Sequence, residues 1–348
     1  MHRGRADFLA NGNVGRFRRA LLTWYDRNRR DLPWRRTHDP YAIWVSEIML
    51  QQTRVAAVLE HYRIFLERFP NITALAAASE DAVLAAWSGL GYYRRARMLH
   101  RCAGEIVEQH GGRFPKTALA LRELPGIGRY TAAAIASIAF GEVAAVVDGN
   151  VERVLERVGG GKLTQGETWG RAQELVSKSR PGDFNQAMME LGATVCLPRE
   201  PRCAACSVRA LCATGARELR AKGSGLHALG MEPGLRQAKR EIWCLLERRN
   251  GSVRLMKRPK KASLMAGMWE LPQWTEVPGK WANAATWRTF RHSITVTDYT
   301  VHVLRDWETA RAAKSAAPAR GKWVAIKTIP DLPITGLTRK ILKAGGII

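Results

Sequence analysis

The segment from Leu124 to Leu155, LPGIGRYTAAAIASIAFGEVAAVVDGNVERVL, constrains the fold of this chain more than any other. Gly126 and Gly128 lie in a turn just before an alanine-rich helix that begins near Arg129. Glycine tolerates positive φ and lets a ligand approach the backbone closely. The free N–H groups at a helix start favour an anion. The pattern therefore predicts a phosphate-binding turn between two helices over 122–140.

A lone carboxylate follows in the same segment. Asp148 comes after the apolar run 143–147 and before Gly149 and Asn150. Aspartate is a preferred N-cap, so capping of the next helix is one interpretation of this residue. Catalysis is another, and the two are compatible because a cap holds its carboxylate rigidly. A phosphate-binding turn close to a fixed carboxylate suggests chemistry on nucleic acid.

The chain carries a large excess of positive charge. Its 348 residues include 55 Lys and Arg against 31 Asp and Glu, which gives a formal net charge of +24 at pH 7. Such a surface attracts polyanions, nucleic acid above all. A soluble basic protein or a ribosome-associated one is the alternative. The length is sufficient for two domains.

Three features predict an intracellular protein. The N-terminal segment MHRGRADFLANGNVG lacks the apolar core of a signal peptide. No apolar run approaches the ~20 residues that a membrane span requires. Four of the six cysteines are clustered in a way that is typical of metal ligands rather than disulfides. We therefore expect a cytoplasmic, nucleoid-associated monomer with no membrane partner.

Residues 1–213 are expected to be all-α. Apolar residues recur at helical spacing over 16–30. Asp39-Pro40 has the form of an N-cap followed by a first helical residue, and Ser79 has the form of a second cap. Further helices are predicted at 148–158, 167–179 and 184–192.

The pattern changes after residue 213. Many glycines and no apolar period predict a linker over 214–238. Alternation with period two then predicts strands, with Asn250-Gly251 as a hairpin turn and a further strand over 293–304. A helix, LTRKILK, ends the chain. Residues 239–348 are thus expected to form a small α+β domain, whose basic charge indicates a second nucleic-acid contact or serves solubility alone.

Four cysteines form a cluster in the sequence: Cys196, Cys203, Cys206 and Cys212. Four thiolates in one loop-rich segment are typical of a metal centre. A zinc ribbon more often has two close CxxC pairs, whereas only one pair is close here. The uneven spacing favours an iron–sulfur cube, because each cysteine reaches a separate corner. A zinc site and unligated thiols are the alternatives.

Glu47 interrupts the apolar run IWVSEIML. Burial there would raise its pKa and suit it to general acid catalysis, whereas a place on the polar face of the helix would imply no such role. Glu47 and Asp148 could be the two carboxylates that cleave a glycosidic bond. Gln52 and Tyr92, near glycine-rich turns, could enter or stack on bases; core packing is the alternative for the tyrosine.

Six motifs together resemble a known family: LPWR at 32–35, WVSEIMLQQT at 44–53, GLGYYRRAR at 89–97, LPGIGRYTA, VVDGN and NQAMMELGATVC at 185–196. They are similar to those of the helix-hairpin-helix DNA glycosylases that hold a [4Fe–4S] cluster, and among these to the MutY family of A/G-mismatch adenine glycosylases. The resemblance covers residues 16–213. It implies a helix-hairpin-helix at 122–140, a cluster loop at 196–212, and double-stranded DNA with adenine opposite 8-oxoguanine or guanine as the partner.

The resemblance also implies residue roles. Glu47 would protonate the departing adenine at N7 and help to activate water, and Asp148 would stabilise the oxocarbenium-like sugar. Tyr130 and Asn150 would position these carboxylates. The other DNA contacts implied in this region are Gln52 and Tyr92 around the lesion pair, Gln186 at the adenine pocket, Arg35, Gly126 and Gly128.

Tyr130 separates two kinds of enzyme within this superfamily. The endonuclease III-type enzymes have a lysine at this hairpin position, which forms a Schiff base and enables strand cleavage. Tyrosine implies a monofunctional glycosylase instead. The competing hypotheses are an endonuclease III-like lyase on oxidised pyrimidines and a non-catalytic DNA-binding scaffold. Tyr130 argues against the first, and the presence of both Glu47 and Asp148 argues against the second.

The C-terminal region resembles a Nudix-like domain more loosely. GMWELP at 267–272 is similar to its Gly-x-Trp-x-x-Pro turn, but no glutamate-rich helix follows, so metal-dependent nucleotide hydrolysis is not expected. FRH at 290–292 stands where the family has the Phe-Ser-His loop that meets 8-oxoguanine. Phe290 and His292 are therefore expected to contact the oxidised base. Arg291 replaces the serine, and Ser293 could compensate. The whole chain is thus expected to be multidomain.

Overall fold

The computed structural model describes residues 12–215, 238–276, 285–294, 297–305 and 321–348. The chain divides into two compact units. The first consists of Met1–Tyr62, Phe69–Ala76 and Arg101–Met231, and the second of Arg63–Arg68, Ala77–His100 and Glu232–Ile348. The second unit thus takes two segments that the sequence groups with residues 1–213, because periodicity predicts a helix but not what the helix packs against.

The domain boundaries at 213 and 239 stay a prediction. The linker predicted over 214–238 lies almost entirely outside the described residues, which omit 216–237. No helix in the described ranges is long and apolar enough to cross a membrane.

The N-terminal region is helical, as predicted. Within residues 12–215 the structure has no strand. The helices are α1 (Asn13–Asn28), α2 (Pro40–Leu50), α3 (Val55–Arg68), α4 (Ile72–Ala77), α5 (Glu80–Ala86), α6 (Arg94–His110), α7 (Ala118–Leu121), α8 (Arg129–Ala139), α9 (Gly149–Gly159), α10 (Gln165–Leu175) and α11 (Pro181–Thr194).

Side-chain caps confirm two of the predicted helix starts. The Asp39 carboxylate accepts a hydrogen bond from the Tyr41 N–H, with Pro40 at the first helical position. Ser79 Oγ accepts from the Ala82 N–H at 3.2 Å and begins α5. Each cap satisfies a backbone donor that the helix leaves unpaired.

The helix predicted over 167–179 is shorter at its C-terminus. It ends at Leu175, because Val176 leaves the helical conformation with ψ 136°. Ser177 Oγ then accepts from the Arg180 N–H at 3.2 Å in a turn. Pro181 opens α11, and a proline disfavours helical backbone in the residue before it.

The core of the first unit is built around one face of α1. Phe17, Leu21 and Tyr25 are fully buried at four-residue spacing, against apolar residues of α9 and α11 such as Leu155 and Phe184. Each such burial contributes roughly 1.5–3 kcal/mol. Cysteines of the cluster loop pack against the same core.

An ion pair is buried within this unit. Both oxygens of Glu190 on α11 accept from arginines: Arg30 Nε and Nη2 and Arg35 Nη2 all lie 2.7 Å away. The Glu190 side chain is fully buried, and that of Arg35 is 9% exposed. Burial alone would raise the pKa of Glu190, but the two guanidinium partners lower it to about 2.

The second unit holds eight described strands and one C-terminal helix. They are β1 (Ala238–Leu246), β2 (Arg248–Arg249), β3 (Ser252–Lys257), β4 (Trp269–Glu270), β5 (Gln273–Trp274), β6 (Thr286–Ile294), β7 (Thr297–Arg305), β8 (Lys322–Ala325) and α12 (Gly336–Ala344). One sheet has the order β5-β1-β7-β6, in which β1 and β7 are parallel. The other has the order β2-β3-β4, and β8 also pairs with β3.

The predicted hairpin turn is confirmed, with a shorter first strand. Asn250 and Gly251 both have positive φ, 46° and 70°, as a two-residue turn of this sequence requires. The strand that pairs across the turn is only β2, since β1 belongs to the other sheet.

The single strand predicted over 293–304 is wrong. β6 ends at Ile294 and β7 begins at Thr297, and the two strands pair antiparallel with Ile294 opposite Thr297. The sequence alternates with period two in both strands, so the pattern does not reveal where the chain reverses. The apolar face of this sheet packs on Leu337, Ile341 and Leu342 of α12.

We expect Glu190→Gln to lower the free energy of unfolding by about 3 kcal/mol at pH 7, because it leaves two arginines without their buried partner. Urea unfolding measures this. Asp31→Asn is the control, because it breaks a pair with Arg36 in which both side chains are largely exposed, and it should leave the urea midpoint almost unchanged.

The difference in stability between wild type and Glu190→Gln should depend on pH. The pKa of Glu190 falls from 4.5 to about 2 on folding, so its stabilisation is complete above pH 4.5 and is lost as the pH falls towards 2. The difference between wild type and Glu190→Gln should therefore narrow over this range. If the difference in unfolding free energy did not change with pH, the pKa of Glu190 would not be lowered by folding.

Candidate active site and metal centre

Glu47 lies on the buried face of its helix. It is 6% exposed on α2, and its Oε2 accepts a hydrogen bond of 2.9 Å from the Tyr130 hydroxyl of α8. Burial raises the pKa of Glu47 to about 7; the nearby Asp148 charge also raises it, whereas the Tyr130 hydrogen bond and Arg35 oppose the shift. A carboxylic acid near neutral pKa can both give and take a proton.

Asp148 is the N-cap of α9, as its position in the sequence suggested. Its Oδ1 accepts from the N–H groups of Asn150 and Val151 at 2.9 and 2.8 Å, and its Oδ2 accepts from the Asn150 side-chain amide at 2.9 Å. These donors hold the carboxylate in one orientation at the positive end of the helix dipole. Asn150 thus has the positioning contact that was predicted for it.

The extended segment before Asp148 is anchored by side-chain amides. Val146 N–H donates to Asn185 Oδ1 at 3.1 Å, and the Asn185 amide donates to the Ala144 carbonyl at 2.8 Å. Gln173 makes a similar pair with the backbone of Ala145 and Val143. Buried backbone groups need partners, and here α10 and α11 supply them instead of a neighbouring strand. The position of Asp148 is therefore fixed by two helices.

Gln186 and Arg35 also lie in this unit, and each has a side-chain partner within it. Gln186 is buried on α11, and its Oε1 accepts a 3.3 Å bond from the Tyr25 hydroxyl. Arg35 donates to Glu190 and to the Arg30 carbonyl, and its guanidinium lies 5.5 Å from the Tyr25 ring centroid. Its buried ion pair leaves it poorly placed for the DNA contact that was expected of it.

The glycine turn differs from expectation at one of its two residues. Gly126 has φ +80°, but Gly128 has φ −84°, which any residue adopts. Gly128 is instead the N-cap of α8, and a Cβ there would meet no atom within 4 Å. Both glycines are exposed, so the free N–H groups of α8 face solvent, as a phosphate contact requires.

Gln52 and Tyr92 have an unusual backbone. Both have positive φ, 55° and 47°, although neither is glycine, and both side chains are exposed, Tyr92 by 51%. Core packing, the alternative for Tyr92, is wrong. Strained conformations with exposed side chains concentrate at functional sites.

All four predicted cysteine ligands line one cavity. Cys196, Cys203, Cys206 and Cys212 share its wall with apolar residues of α9 and α11. No group of three or more His, Cys, Asp or Glu side chains in the described residues is arranged to hold a single metal ion. Four thiol groups on one cavity wall are a donor set that fits a thiolate-bound metal centre.

Two arginines of α9 connect the cysteine loop to Asp148. Arg157 donates to Cys196 Sγ at 3.3 Å, and Arg153 donates to the Cys196 carbonyl at 2.9 Å. Arg153 also donates to Asn150 Oδ1 at 2.8 Å. Asn150 in turn holds Asp148, so the loop and the carboxylate share one hydrogen-bonded network.

The FRH segment is not a loop. Residues 290–292 lie inside edge strand β6, and Phe290 is buried in the core of the second unit, which contradicts its expected contact with a base. His292 is partly buried; burial, with Lys340 nearby, lowers its pKa. Arg291 is exposed. The Ser293 hydroxyl donates to Asp298, so it already has a partner of its own.

Comparison with known proteins follows the division of the chain. Residues 45–178 match the family model of the HhH-GPD superfamily of base excision DNA repair proteins, and residues 242–344 match that of the NUDIX domain. A solved structure of a thermostable thymine-DNA glycosylase is 33% identical, with a TM-score of 0.56, over 59% of this chain and 97% of that one. The chain belongs to the HhH-GPD superfamily of base excision DNA repair proteins.

Curated relatives extend the similarity. The adenine DNA glycosylase of Homo sapiens is 42% identical over 77% of this chain and 59% of its own length. That of Mus musculus is 50% identical over 62% of this chain and 44% of its own length. The chain thus spans about half the length of these relatives. Its fold is the predicted one: a helical HhH-GPD region with a C-terminal Nudix-like domain.

Sequence reasoning missed Glu190, Arg153 and Asn185. Glu190 interrupts the apolar stretch AMMELGA in the way that Glu47 interrupts IWVSEIML, so the same signal was available. Arg153 and Asn185 had no such signal, because their partners are backbone atoms or amides that only the tertiary structure brings near.

Glu47→Gln should stabilise the protein above pH 7. Folding raises the pKa of Glu47 from 4.5 to about 7, so the wild type loses stability as the pH rises through this range, when the buried carboxyl must ionise. Glutamine keeps the shape and carries no charge. Thermal melts at pH 8 should show a higher Tm for the variant, and melts at pH 4.5 should show no gain. A lower Tm for Glu47→Gln than for wild type at pH 8 would contradict the free-energy cost assigned to ionising the buried Glu47 carboxyl.

Proposed function

We propose that this chain is a DNA glycosylase of base-excision repair that hydrolyses the N-glycosidic bond of adenine mispaired with 8-oxoguanine or guanine. The observation that carries the proposal is the coupling of two unlike carboxyls, Glu47 with a pKa near 7 and Asp148 held by three N–H donors. Glycosidic cleavage requires this combination of an acid and an anion. The similarity to adenine DNA glycosylases supports the choice of base.

Glu47 acts as the acid in this proposal. It gives a proton to N7 of the extruded adenine, and the C1′–N9 bond breaks with its electron pair moving to the base. Burial raises the pKa of Glu47 to about 7, so a protonated carboxyl is available near neutral pH. Tyr130, whose own pKa is raised well above 10 by burial and the nearby carboxylates, remains a hydrogen-bond donor and keeps Glu47 in one orientation.

Asp148 stabilises the positive charge that then develops on the sugar. Its donors pre-orient the carboxylate, so no reorganisation is needed when the charge appears. Water adds to C1′ and loses a proton to Glu47, which restores the acid. Extrusion of the adenine costs a few kcal/mol and is easiest at a mispair.

Tyr130 supports base removal without strand cleavage. A lyase needs an amine to form a Schiff base, whereas the side chain that meets Glu47 here is a phenol. We therefore propose a monofunctional enzyme that acts as a monomer on duplex DNA at the nucleoid.

We also propose that the four cysteines hold a [4Fe–4S] cluster. The shared cavity and the N–H donors to sulfur, from Arg157 to Cys196 and from the Gly215 backbone to Cys212, support it, since such bonds tune a thiolate-bound cluster. The cluster would hold the loop on α9 and α11, and no chemical step is assigned to it.

The central experiment is a base-release assay on duplexes with adenine opposite 8-oxoguanine, guanine or thymine, with and without alkali. Wild type should release adenine from the first two pairs and leave strands intact until alkali is added. Glu47→Gln should bind the duplex with unchanged affinity, yet release adenine more than ~10²-fold more slowly, as expected for loss of a general acid.

Other outcomes of that assay distinguish the alternatives. A further duplex with thymine opposite guanine belongs in the same assay, and release of thymine from it would instead place the chain with its thymine-DNA glycosylase relative. Strand cleavage without alkali, with a borohydride-trapped adduct, would support an endonuclease III-like lyase. Full turnover by Glu47→Gln would remove Glu47 from its proposed role.

The purified protein should be yellow-brown, with broad absorbance near ~400 nm from an iron–sulfur centre. Iron and sulfide analysis should find four of each per chain. Cys203→Ala should lose both the colour and the iron, whereas Cys102→Ala, which changes a buried cysteine outside the loop, should keep them. A colourless, zinc-containing protein would contradict the cluster.

A further inference from the structure

Helix α12 contacts two exposed segments that are far apart in the sequence. Arg339 Nε donates to Ser88 Oγ at 3.0 Å, and Nζ of the next residue, Lys340, donates to the Arg291 carbonyl at 2.9 Å. Ser88 lies in the loop that presents Tyr92, and Arg291 lies in edge strand β6. All of these residues belong to the second unit.

The loop that carries Tyr92 is braced from within. Gly91 and Tyr92 have φ +68° and +47°, and the Gly91 carbonyl accepts from Trp87 Nε1 at 3.1 Å and Arg95 at 3.3 Å. The Arg95 guanidinium lies 5.4 Å from the ring centroids of both Trp87 and Tyr92. A strained backbone persists only where its surroundings fix it. The structure therefore holds an exposed aromatic ring in a defined orientation.

Ser88 attaches this loop to the C-terminal region. Its buried hydroxyl accepts from Arg339 and donates to the Ile334 carbonyl at 2.8 Å. Ile334 comes just before Thr335, the N-cap of α12. One serine hydroxyl thus binds both the start and the body of the helix.

Contacts on either side of Ser88 reinforce the attachment. Asp81, at the start of α5, pairs with Lys257 of β3 at 2.9 Å. Arg97, in the first turn of α6, donates to the Ala266 carbonyl. The segment that presents Tyr92 is therefore joined to the C-terminal part of its unit before, within and after the loop.

The other contacts of α12 lead to the Phe290–His292 segment. Lys340 Nζ lies 5.8 Å from the Phe290 ring centroid, in addition to its bond with the Arg291 carbonyl. At Gly336, the first residue of α12, an added Cβ would lie 3.9 Å from His292 Cε1. The helix start and its second turn thus border this part of β6.

We propose that α12 sets the position of Tyr92 relative to the Phe290–His292 segment, with Ser88 and Arg339 as positioning residues for choosing the base opposite adenine. This rests on the proposed function and on two contacts expected from the sequence: that of Tyr92 with the base stack at the lesion pair, and that of His292 with the oxidised base. Because α12 contacts both the Tyr92 loop and the Phe290–His292 segment, these two segments keep a fixed spacing. A mispair must therefore fit both of them at the same time. Loosening one of them reduces discrimination and leaves the chemistry at Glu47 intact.

The test is Ser88→Ala in the full chain. The preference for 8-oxoguanine over guanine opposite adenine, measured as a ratio of kcat/KM, should fall about ten-fold, the effect of losing one charge-assisted hydrogen bond. The single-turnover rate on saturating 8-oxoguanine duplex should stay within about two-fold of wild type. Ser88→Thr, which keeps the hydroxyl, should restore the preference. Lys343→Ala, exposed on the same helix, is the control and should change neither quantity.

A double-mutant cycle separates positioning from general destabilisation. In a Tyr92→Ala background, Ser88→Ala should cause no further loss of preference, because its effect passes through that ring. Fluorescence of 2-aminopurine next to the mispair should report weaker unstacking in Ser88→Ala than in wild type. Arg339→Lys keeps the charge and is the second variant to test if Ser88→Ala lowers the Tm. Its loss of preference should also be non-additive with that of Tyr92→Ala.

The positioning role would be overturned if Ser88→Ala and Tyr92→Ala reduced the preference additively. It would also be overturned if Ser88→Ala lowered kcat/KM equally on the 8-oxoguanine and guanine pairs. A preference that Ser88→Ala and Arg339→Lys leave unchanged would overturn it as well. These outcomes differ from failure of the proposed function, in which wild type itself would release no adenine from either pair.

Discussion

The buried ion pair of Glu190 with Arg30 and Arg35 is the interaction on which the candidate active site depends most. This ion pair holds α11 against the segment that carries Arg30 and Arg35. That segment leads directly into α2, where Glu47 lies. The same helix supplies Asn185 to the backbone before Asp148. At Gly192 the absence of a Cβ lets this helix approach Asn150, since a Cβ there would lie 2.6 Å from that of Asn150. One helix thus sets the positions of both carboxylates.

Two of the buried carboxyl groups in the first unit have opposite properties. Two guanidinium groups compensate the charge of Glu190, so it stays ionised and stabilises the fold. Glu47 accepts its hydrogen bond from a phenol and lies in the field of Asp148, so its ionisation costs stability. A site that needs a carboxylic acid near neutral pH must carry this cost. The difference between the two groups lies in their partners and not in their degree of burial.

Local patterns predicted much of the helical region. The caps at Asp39, Ser79 and Asp148 were recognisable because an N-cap contact joins residues two or three apart. The Asn250-Gly251 turn was recognisable for the same reason. The strand reversal at 294–297 and the place of Phe290 in a core were not, because alternation is the same on both sides of a connection and does not say which face is covered. The ion pair of Arg35 was not recognisable either, because its partner, Glu190, lies 155 residues away.

The sequence by itself determined the helical and α+β regions, the pairing of Glu47 with Asp148 as candidates, the cysteine set and the phenol in place of a lysine. These are properties of residue type and short spacing. The tertiary structure decided which charges are compensated, that Gly126 alone of the two turn glycines needs a positive φ, and that residues 77–100 pack with the C-terminal region. Those outcomes depend on contacts between distant segments, and burial and partner together set the pKa of a side chain and the role open to it.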